Sequence, residues 1–316
     1  MPQVSVVIAT KNRLESLRAA LRSVALQGGV EFETIVMDDG STDGTPAAVA
    51  AEFPAVRVDR SPQSLGYIVQ RNRGVALAGS EVVVMIDDDT TLPDPATLVQ
   101  TVADFDSPRV GAVAMPYINL LTDPGVLCKA APDRLGVFVT PSFIGCAHAV
   151  RRTLFQRLGG YCEALQHYWE ESDFCLRLLD AGYVTRLGRA PAAHHHQTPA
   201  TRINHRQRYF AARNTILTGW KSVPRWYLPP HLAGVTAREF RLMLRFGLPL
   251  ATLRGIAAGY RDGISLRLGH PANVVSPSTY RLLWRLKRNS ATPLSEIEPL
   301  LPKLSDLPAV DAPAAR

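Results

Sequence analysis

Four runs in the first ninety residues are apolar and β-branched almost without interruption: VSVVIA (Val4 to Ala9), ETIVMDD (Glu33 to Asp39), VRVD (Val56 to Asp59) and VVVMIDDD (Val82 to Asp89). Continuous apolar strands suit a sheet that is covered on both faces. Helix-like segments stand between them at Leu14 to Gln27, Thr45 to Phe53 and Gly66 to Ala78. A strand recurring every 25 to 30 residues or so, with a helix in between, predicts a parallel sheet with crossover helices. Ligands of such sheets sit beyond the carboxyl ends of the strands, where Thr10 to Arg13, Asp38 to Asp43 and Asp87 to Asp89 all fall. Three polar clusters are thereby brought to one edge.

From Val110 to Val150 the pattern shortens to GAVAMPYI, GVFVT and FIGCAHAV with Pro and Gly between them, which predicts a second, mixed half of the same domain. Gly159 and Gly160 stop a short helix, and Glu170 to Ala181 reads as a helix with Phe174, Leu176, Leu178 and Leu179 as its apolar positions. Beyond His194-His195-His196 the chain is helical and arginine-rich to about Asn289. The Pro- and Ala-rich stretch after that is expected to fray.

With 316 residues, 46% of them hydrophobic, the chain can bury a sizeable core, and it lacks the low hydrophobicity and high charge of disorder. The net charge of +7 is unevenly spread: Thr201 to Ser290 holds sixteen Lys/Arg against two acids, Glu239 and Asp262. That basicity suits anionic lipid, nucleic acid or a phosphorylated substrate, and charge alone does not choose between them. Cys128, Cys146, Cys162 and Cys175 have no CxxC spacing, so a reduced, cytoplasmic setting is expected. MPQVSVVIATKNR has no signal-peptide pattern, and Leu242 to Ile264 is broken by Arg245, Arg254, Arg261 and Asp262, so no membrane span is expected.

Asp87-Asp88-Asp89 at a strand end sets three carboxylates side by side. They repel one another unless a cation or solvent relieves them, and hard oxygen ligands suit Mg2+ or Mn2+; a plain acidic turn is the alternative. In MDDGSTDGT (Met37 to Thr45), Ser41 and Asp43 are accounted for by helix capping, which leaves Asp38 and Asp39 placed to accept a base N–H. Glu170, Glu171 and Asp173 open a helix, either as dipole partners or as a general base in a cleft. The three histidines could complete a metal site with the aspartates, or simply pack.

Taken together these stretches resemble glycosyltransferase family 2, inverting enzymes of GT-A fold that use nucleotide-sugar donors, and in particular bacterial rhamnosyl- and galactofuranosyltransferase-like members. The likeness runs over about residues 3 to 220. VSVVIATKNR resembles the opening strand and nucleotide loop, QRNRGVALAGSEVVVMIDDD the run into the metal motif, and WEESDFCLRLLDAGY the acceptor-side helix, with HHHQTPATR and RYFAARNTI following. The resemblance implies an α/β GT-A domain over 1–220, with the nucleotide-sugar half at about 1–110 and the acceptor half at about 111–220. A basic amphipathic helical region at 221–290 and a flexible tail at 291–316 would complete the chain.

The same resemblance implies roles. Asp39 would bind the pyrimidine of a UDP- or dTDP-sugar through its N3–H, with Ala9, Thr10 and Asn12 framing the nucleotide and Arg71 near the donor. Asp87 and Asp89 would form the DxD motif, Asp88 lying between them at the donor and Asp89 binding Mg2+ or Mn2+ most directly. Glu171 aligns with the general base, flanked by Glu170 and Asp173, and Asp173 is placed to substitute for it. His194, by its spacing from Leu187, would join the metal shell, with His196 in reserve. Ala9 stands where the family commonly has proline, and Glu171 where aspartate is usual.

Past about Lys221 the likeness is weak. There Phe240, Leu244, Leu248 and Leu250 alternate with Arg238, Arg241, Arg245 and Arg254, an amphipathic basic pattern suited to the anionic inner face of a membrane and to a lipid-linked glycan acceptor. Two other readings compete with the glycosyltransferase. A sugar nucleotidyltransferase would carry a glycine-rich loop after the first strand, where ATKNRLES has no glycine. A non-catalytic basic module for lipid or nucleic acid would not need three acidic clusters, and no nucleic-acid partner is expected.

Overall fold

The computed structural model describes residues 2–197, 204–269 and 274–304. A nine-stranded mixed sheet forms its centre. In spatial order the strands are Thr292–Pro293, Phe138–Thr140, Val184–Leu187, Val110–Ala114, Ala147–Arg151, Val82–Asp87, Val4–Thr10, Phe32–Asp38 and Arg57–Arg60. The last four are mutually parallel, as the strand and helix alternation of the first ninety residues predicts, while Ala147–Arg151 runs antiparallel between Val82–Asp87 and Val110–Ala114.

Period-two alternation divides the strand residues between two cores. Val6, Ile8, Val36, Val84 and Ile86 face one side, where Leu17, Leu21 and Val24 of the helix Leu14–Ala25 cover them. Val7, Ile35, Met37, Val83 and Met85 face the other, beneath Ile68 and Val75 of the helix Tyr67–Leu77 and the aromatic group Phe143, Phe155, Tyr161 and Phe174. Both faces are covered, which is why these strands read as unbroken apolar runs. A second sheet of Thr90–Thr91, Ala193–His195, Tyr117–Asn119 and Leu127–Cys128 stands at the edge where the polar clusters gather.

The basic region is four helices, His205–Ser222, Leu228–Phe246, Pro249–Gly269 and Pro277–Arg288. The third lies tightly on the first along Gly255, Gly259 and Gly263. A Cβ at Gly255 or Gly259 would stand 2.5 Å from the carbonyl oxygen of Tyr209 or Arg213, so only glycine lets the backbones approach this closely. The opposite side of the pair leaves Leu250, Leu253 and Leu268 exposed. No helix among the described residues is long and apolar enough to cross a membrane.

The stretch after 291 departs from the expectation that it frays. Thr292–Pro293 pairs with Phe138–Thr140, and Leu294, Ile297 and Leu301 are buried, because their apolar side chains complete the core under Leu286. Residues 305–316 of that expected tail lie outside the described residues, as do Thr198 to Arg202 of the HHHQTPATR run. All four cysteines are free.

Candidate functional site

The parallel register sets the site. Ala9 pairs with Asp87 and Thr10 with Asp38, so the three polar strand ends lie level. They open into a polar cleft of about 720 Å³, lined from the sheet side by Ala9, Thr10, Asp39, Asp87 and Asp89 and from the opposite side by Gly145, Glu170, Glu171 and His195.

Asp39 is held rigidly. Its carboxylate accepts from Leu65 N at 2.7 Å, Gly66 N at 3.1 Å and Gln70 Nε2 at 2.8 Å, and from the Ser64 hydroxyl. Burial alone would raise its pKa, but these donors, Gln70 and Ser64 foremost, lower it below the usual carboxylate value. The rest of the MDDGSTDGT loop is scaffold. Gly44, not Asp43, occupies the cap position of the helix Thr45–Glu52; Asp43 accepts from Thr45 N at 3.1 Å and from Leu14 N, at the start of the preceding helix. Ser41 Oγ accepts from Asn12 N, and Asn12, at φ 53°, returns the contact by accepting from Thr42 N at 2.7 Å. Asn12 therefore ties two loops together behind the cleft instead of lining it.

The three adjacent aspartates are relieved one by one. Asp87 pairs with the buried Arg71, Asp88 accepts from Thr10 Oγ1 at 2.8 Å and pairs with Arg13, and Asp89 pairs with Arg13 on its other nitrogen. Burial raises the Asp88 carboxyl to about 7 despite these partners, whereas His195 and Arg13 overcome burial at Asp89 and hold it at about 2.

The histidine that reaches the aspartates is His195, not His194 or His196. Ala193–His195 is a strand, antiparallel to Thr90–Thr91 and parallel to Tyr117–Asn119, so successive side chains alternate in direction. His195 is buried with Nε2 3.3 Å from Asp89 Oδ1, while Nδ1 donates to Asn119 Oδ1 at 2.8 Å. With Nδ1 engaged there, Nε2 is the ring nitrogen that faces Asp89. His196 is exposed, with Nε2 3.1 Å from Thr91 Oγ1. Spacing within HHH could not separate the three; recognising the stretch as a strand would have done so.

Ligand atoms of Asp87, Asp89 and His195 lie within 4.8 Å of one another. Asp89 Oδ1 is buried with no hydrogen-bond partner, an acceptor that a cation would satisfy. Two carboxylates and an imidazole suit a divalent ion such as Mn2+ or Mg2+, the nitrogen favouring the former. The residues present therefore fit such an ion.

On the facing wall, Glu170 and Glu171 start the helix Glu170–Asp180 beside Arg71, whose Nη2 also donates to Gly145 O at 2.9 Å. Arg71 Nη1 stands 3.6 Å from Glu170, so one guanidinium balances carboxylates from both walls. Burial, reinforced by repulsion from Glu170, raises the Glu171 carboxyl to about 8, a value suited to a proton acceptor near neutral pH. Asp173 faces elsewhere. It is buried between Lys221 at 2.5 Å and Arg177 at 2.8 Å, and these cations lower its pKa against the pull of burial. Its oxygens are committed to structure, so it cannot replace Glu171.

The turn into this helix is strained, with Gln166, Tyr168 and Trp169 at φ 58°, 68° and 76°. Asn214, buried on the helix His205–Ser222, holds it by donating to the carbonyls of Leu165, His167 and Tyr168 at 2.8, 2.7 and 3.2 Å. Residue types alone did not single out Asn214, Arg13, Gly145 or Asn119.

Residues 5–159 match the family described as Glycosyl transferase family 2. A succinoglycan biosynthesis protein, ExoO of Rhizobium meliloti, is 38% identical over 151 residues, 46% of this chain and 42% of that protein, so the chain spans less than half of that relative. The N-acetylglucosaminyl-diphospho-decaprenol L-rhamnosyltransferase of Mycobacterium tuberculosis is 27% identical, with 78% of this chain and 94% of the relative covered. Among solved structures, S. aureus TarS 1-349 in complex with UDP-GlcNAc has a TM-score of 0.61 at 17% identity, covering 94% of this chain and 90% of that one. A Pyrobaculum calidifontis mannosyltransferase in complex with GDP-Man and Mn2+ has a TM-score of 0.55 at 22% identity, covering 95% and 82%. The fold is that of GT-A glycosyltransferases.

Proposed function

We propose that this chain, whose residues 5–159 match glycosyltransferase family 2, is a glycosyltransferase that moves a sugar, with inversion, from a UDP- or dTDP-linked donor to a hydroxyl of a lipid-linked glycan. The observation that carries this reading is one cleft holding Asp39, the Asp87–Asp89–His195 cluster and Glu171. The family assignment displaces the sugar nucleotidyltransferase alternative.

Asp39, fixed by Gln70, the Ser64 hydroxyl and the backbone of Leu65 and Gly66, accepts the pyrimidine N3–H, with Ala9 and Thr10 framing the nucleotide. Asp87, Asp89 and His195 would hold a divalent cation, which when bound neutralises the diphosphate as its negative charge develops. Arg71 pairs with Asp87 and stands beside Glu170, holding both carboxylates in place. Glu171 takes the proton of the acceptor hydroxyl as that oxygen forms its bond to the anomeric carbon. The bond from that carbon to the diphosphate oxygen breaks on the opposite face, and the nucleoside diphosphate leaves with the electron pair.

The acceptor reading draws on the M. tuberculosis relative and on exposed Phe240, Leu244, Leu250 and Leu253 beside exposed arginines 241 and 254, a surface suited to peripheral contact with the inner face of the cell membrane. Co-sedimentation with anionic but not neutral vesicles would support that contact, and equal recovery with both would remove it.

The test of the central reading is a thermal shift with UDP-, dTDP- and GDP-sugars in Mg2+, Mn2+ or EDTA, on the wild-type chain and Asp89→Ala. Metal-dependent stabilisation by a pyrimidine nucleotide, abolished in the variant, is expected. If no nucleotide stabilises the chain with any metal, the proposal fails at its first step.

A further inference from the structure

Asp39 is saturated with hydrogen bonds from its own chain. A carboxylate offers about four lone-pair sites. Among the described residues four donors already fill them: Leu65 N at 2.7 Å and Gln70 Nε2 at 2.8 Å on Oδ1, Ser64 Oγ at 2.5 Å on Oδ2, and Gly66 N shared between the two oxygens at 3.2 and 3.1 Å. A pyrimidine N3–H would be a fifth. Asp39 can accept it only where one of the four gives way.

Three of them are fixed. Leu65 N and Gly66 N belong to the backbone of the loop between Arg57–Arg60 and the helix Tyr67–Leu77. That loop is anchored at its start by Ser61 N, which donates to Asp38 O at 2.9 Å, and it packs on Gly40 so closely that a Cβ there would stand 3.3 Å from Gln63 C and from Ser64 N. Gly66 also caps the helix, so its N–H cannot turn without disturbing the helix start. Gln70 is fully buried, and its Nε2 is shared at 2.8 Å with Ser61 Oγ, which accepts from Arg73 as well. Ser64 alone is free to yield. Its side chain is exposed, so rotation about χ1 takes the hydroxyl off Asp39 and into water with no movement of the backbone. The bond it surrenders is short and charge-assisted, so a donor of similar strength must replace it.

We propose that the Ser64 hydroxyl is a placeholder for the donor's base: it occupies Asp39 Oδ2 until the pyrimidine N3–H replaces it. The inference rests on the reading of Asp39 as the acceptor of that N3–H. It goes further by naming the residue that makes the contact conditional. A base with no N–H at that edge leaves the serine in place and gains nothing from Asp39, so the exchange adds selectivity at a cost in affinity.

The test is isothermal titration calorimetry of the full chain in Mn2+ with UDP, dTDP and 3-methyluridine diphosphate, in which a methyl group replaces the N3 hydrogen. Ser64→Ala, at an exposed loop position, should bind UDP and dTDP about three- to tenfold more tightly than the wild type, the net worth of one hydrogen bond that no longer has to be broken. Ser64→Thr, which keeps a hydroxyl at the same place, should bind them as the wild type does. The methylated nucleotide should bind weakly and alike to all three chains. Unchanged UDP affinity in Ser64→Ala overturns the proposal, and weaker binding overturns it in favour of a direct contact between the hydroxyl and the nucleotide. Equal tightening of the methylated nucleotide, or a threonine variant that behaves like the alanine one, overturns it too, because the loop would then merely have loosened. If UDP binds the wild type and only these differences are missing, the donor reading stands without the placeholder. If neither UDP nor dTDP binds the wild type or the variants, the donor reading falls and the placeholder with it.

Discussion

Gly145 touches the carboxylate of Glu171: a Cβ built on its backbone would lie 2.6 Å from Glu171 Oε1 and 3.0 Å from Arg71 Nη1. Only a residue without a side chain lets this loop floor the cleft while the acid stays in place. Gly145→Ala should fold, because the Glu171 carboxylate is the flexible end of its side chain and can swing away. Activity should then fall by about 100-fold, the usual cost of moving a reacting group by an ångström. Turnover beside a melting curve checks this, and near-wild-type turnover would mean that the Glu171 position is unimportant.

Glu171→Gln separates chemistry from stability. Turnover should drop by about 10²- to 10⁴-fold. In the wild type, kcat/KM should rise with pH and level off above about 8, where the free enzyme's Glu171 is ionised. A glutamate whose folded pKa is raised favours the folded state only while protonated. Its stability cost therefore begins near 4.5, the ordinary value, and is complete above about 8. The variant should accordingly melt with the wild type at pH 4.5 and above it at pH 9. A flat kcat/KM profile from pH 6 to 9 would count against Glu171 as the base.

His195→Ala should weaken Mn2+-dependent stabilisation by nucleotide far more than His194→Ala, since only His195 reaches Asp87 and Asp89. Asn119→Ala, which frees the other ring nitrogen, should lower metal affinity by about 10- to 100-fold. Manganese titration followed by electron paramagnetic resonance measures all three. Equal losses in the His194 and His195 variants would refute the strand-based assignment.

Removing the Asn214 amide should cost about 2–4 kcal/mol, because three carbonyls of a strained turn lose their donor in a buried setting. Asn214→Ala should lower the melting temperature by several degrees and slow turnover, and donor nucleotide affinity should change little. A nucleotide effect as large as the turnover effect would point to global loosening instead.

The sequence carried the sheet and one wall of the cleft because those features are local. A strand of Val and Ile ending in aspartate reads the same alone or in the fold, and Asp39, Asp87 and Asp89 line the cleft at such strand ends, whereas Glu171, on a helix, was pointed to by the family resemblance. What escaped depends on direction and distance. His195 is told from its neighbours only by the pleat of a three-residue strand whose partners, Thr91 and Asn119, lie far away in the chain. Asp173 looked like a second acid until Lys221, 48 residues on, was placed against it. The Pro-rich end read as loose because Leu294 and Ile297 are sparse, yet both find a core assembled by other segments.

The docking of Thr292–Pro293 also has a protective consequence. Phe138–Thr140 would otherwise be the outermost strand of the large sheet, its free N–H and C=O groups exposed as a template for another chain. Proline at position 293 cannot donate a ladder hydrogen bond, so the segment that closes this border also blunts its own outer side. Keeping copies of the enzyme from pairing edge to edge is thus a task of Thr292 and Pro293, and one that an assay of sugar transfer would never register.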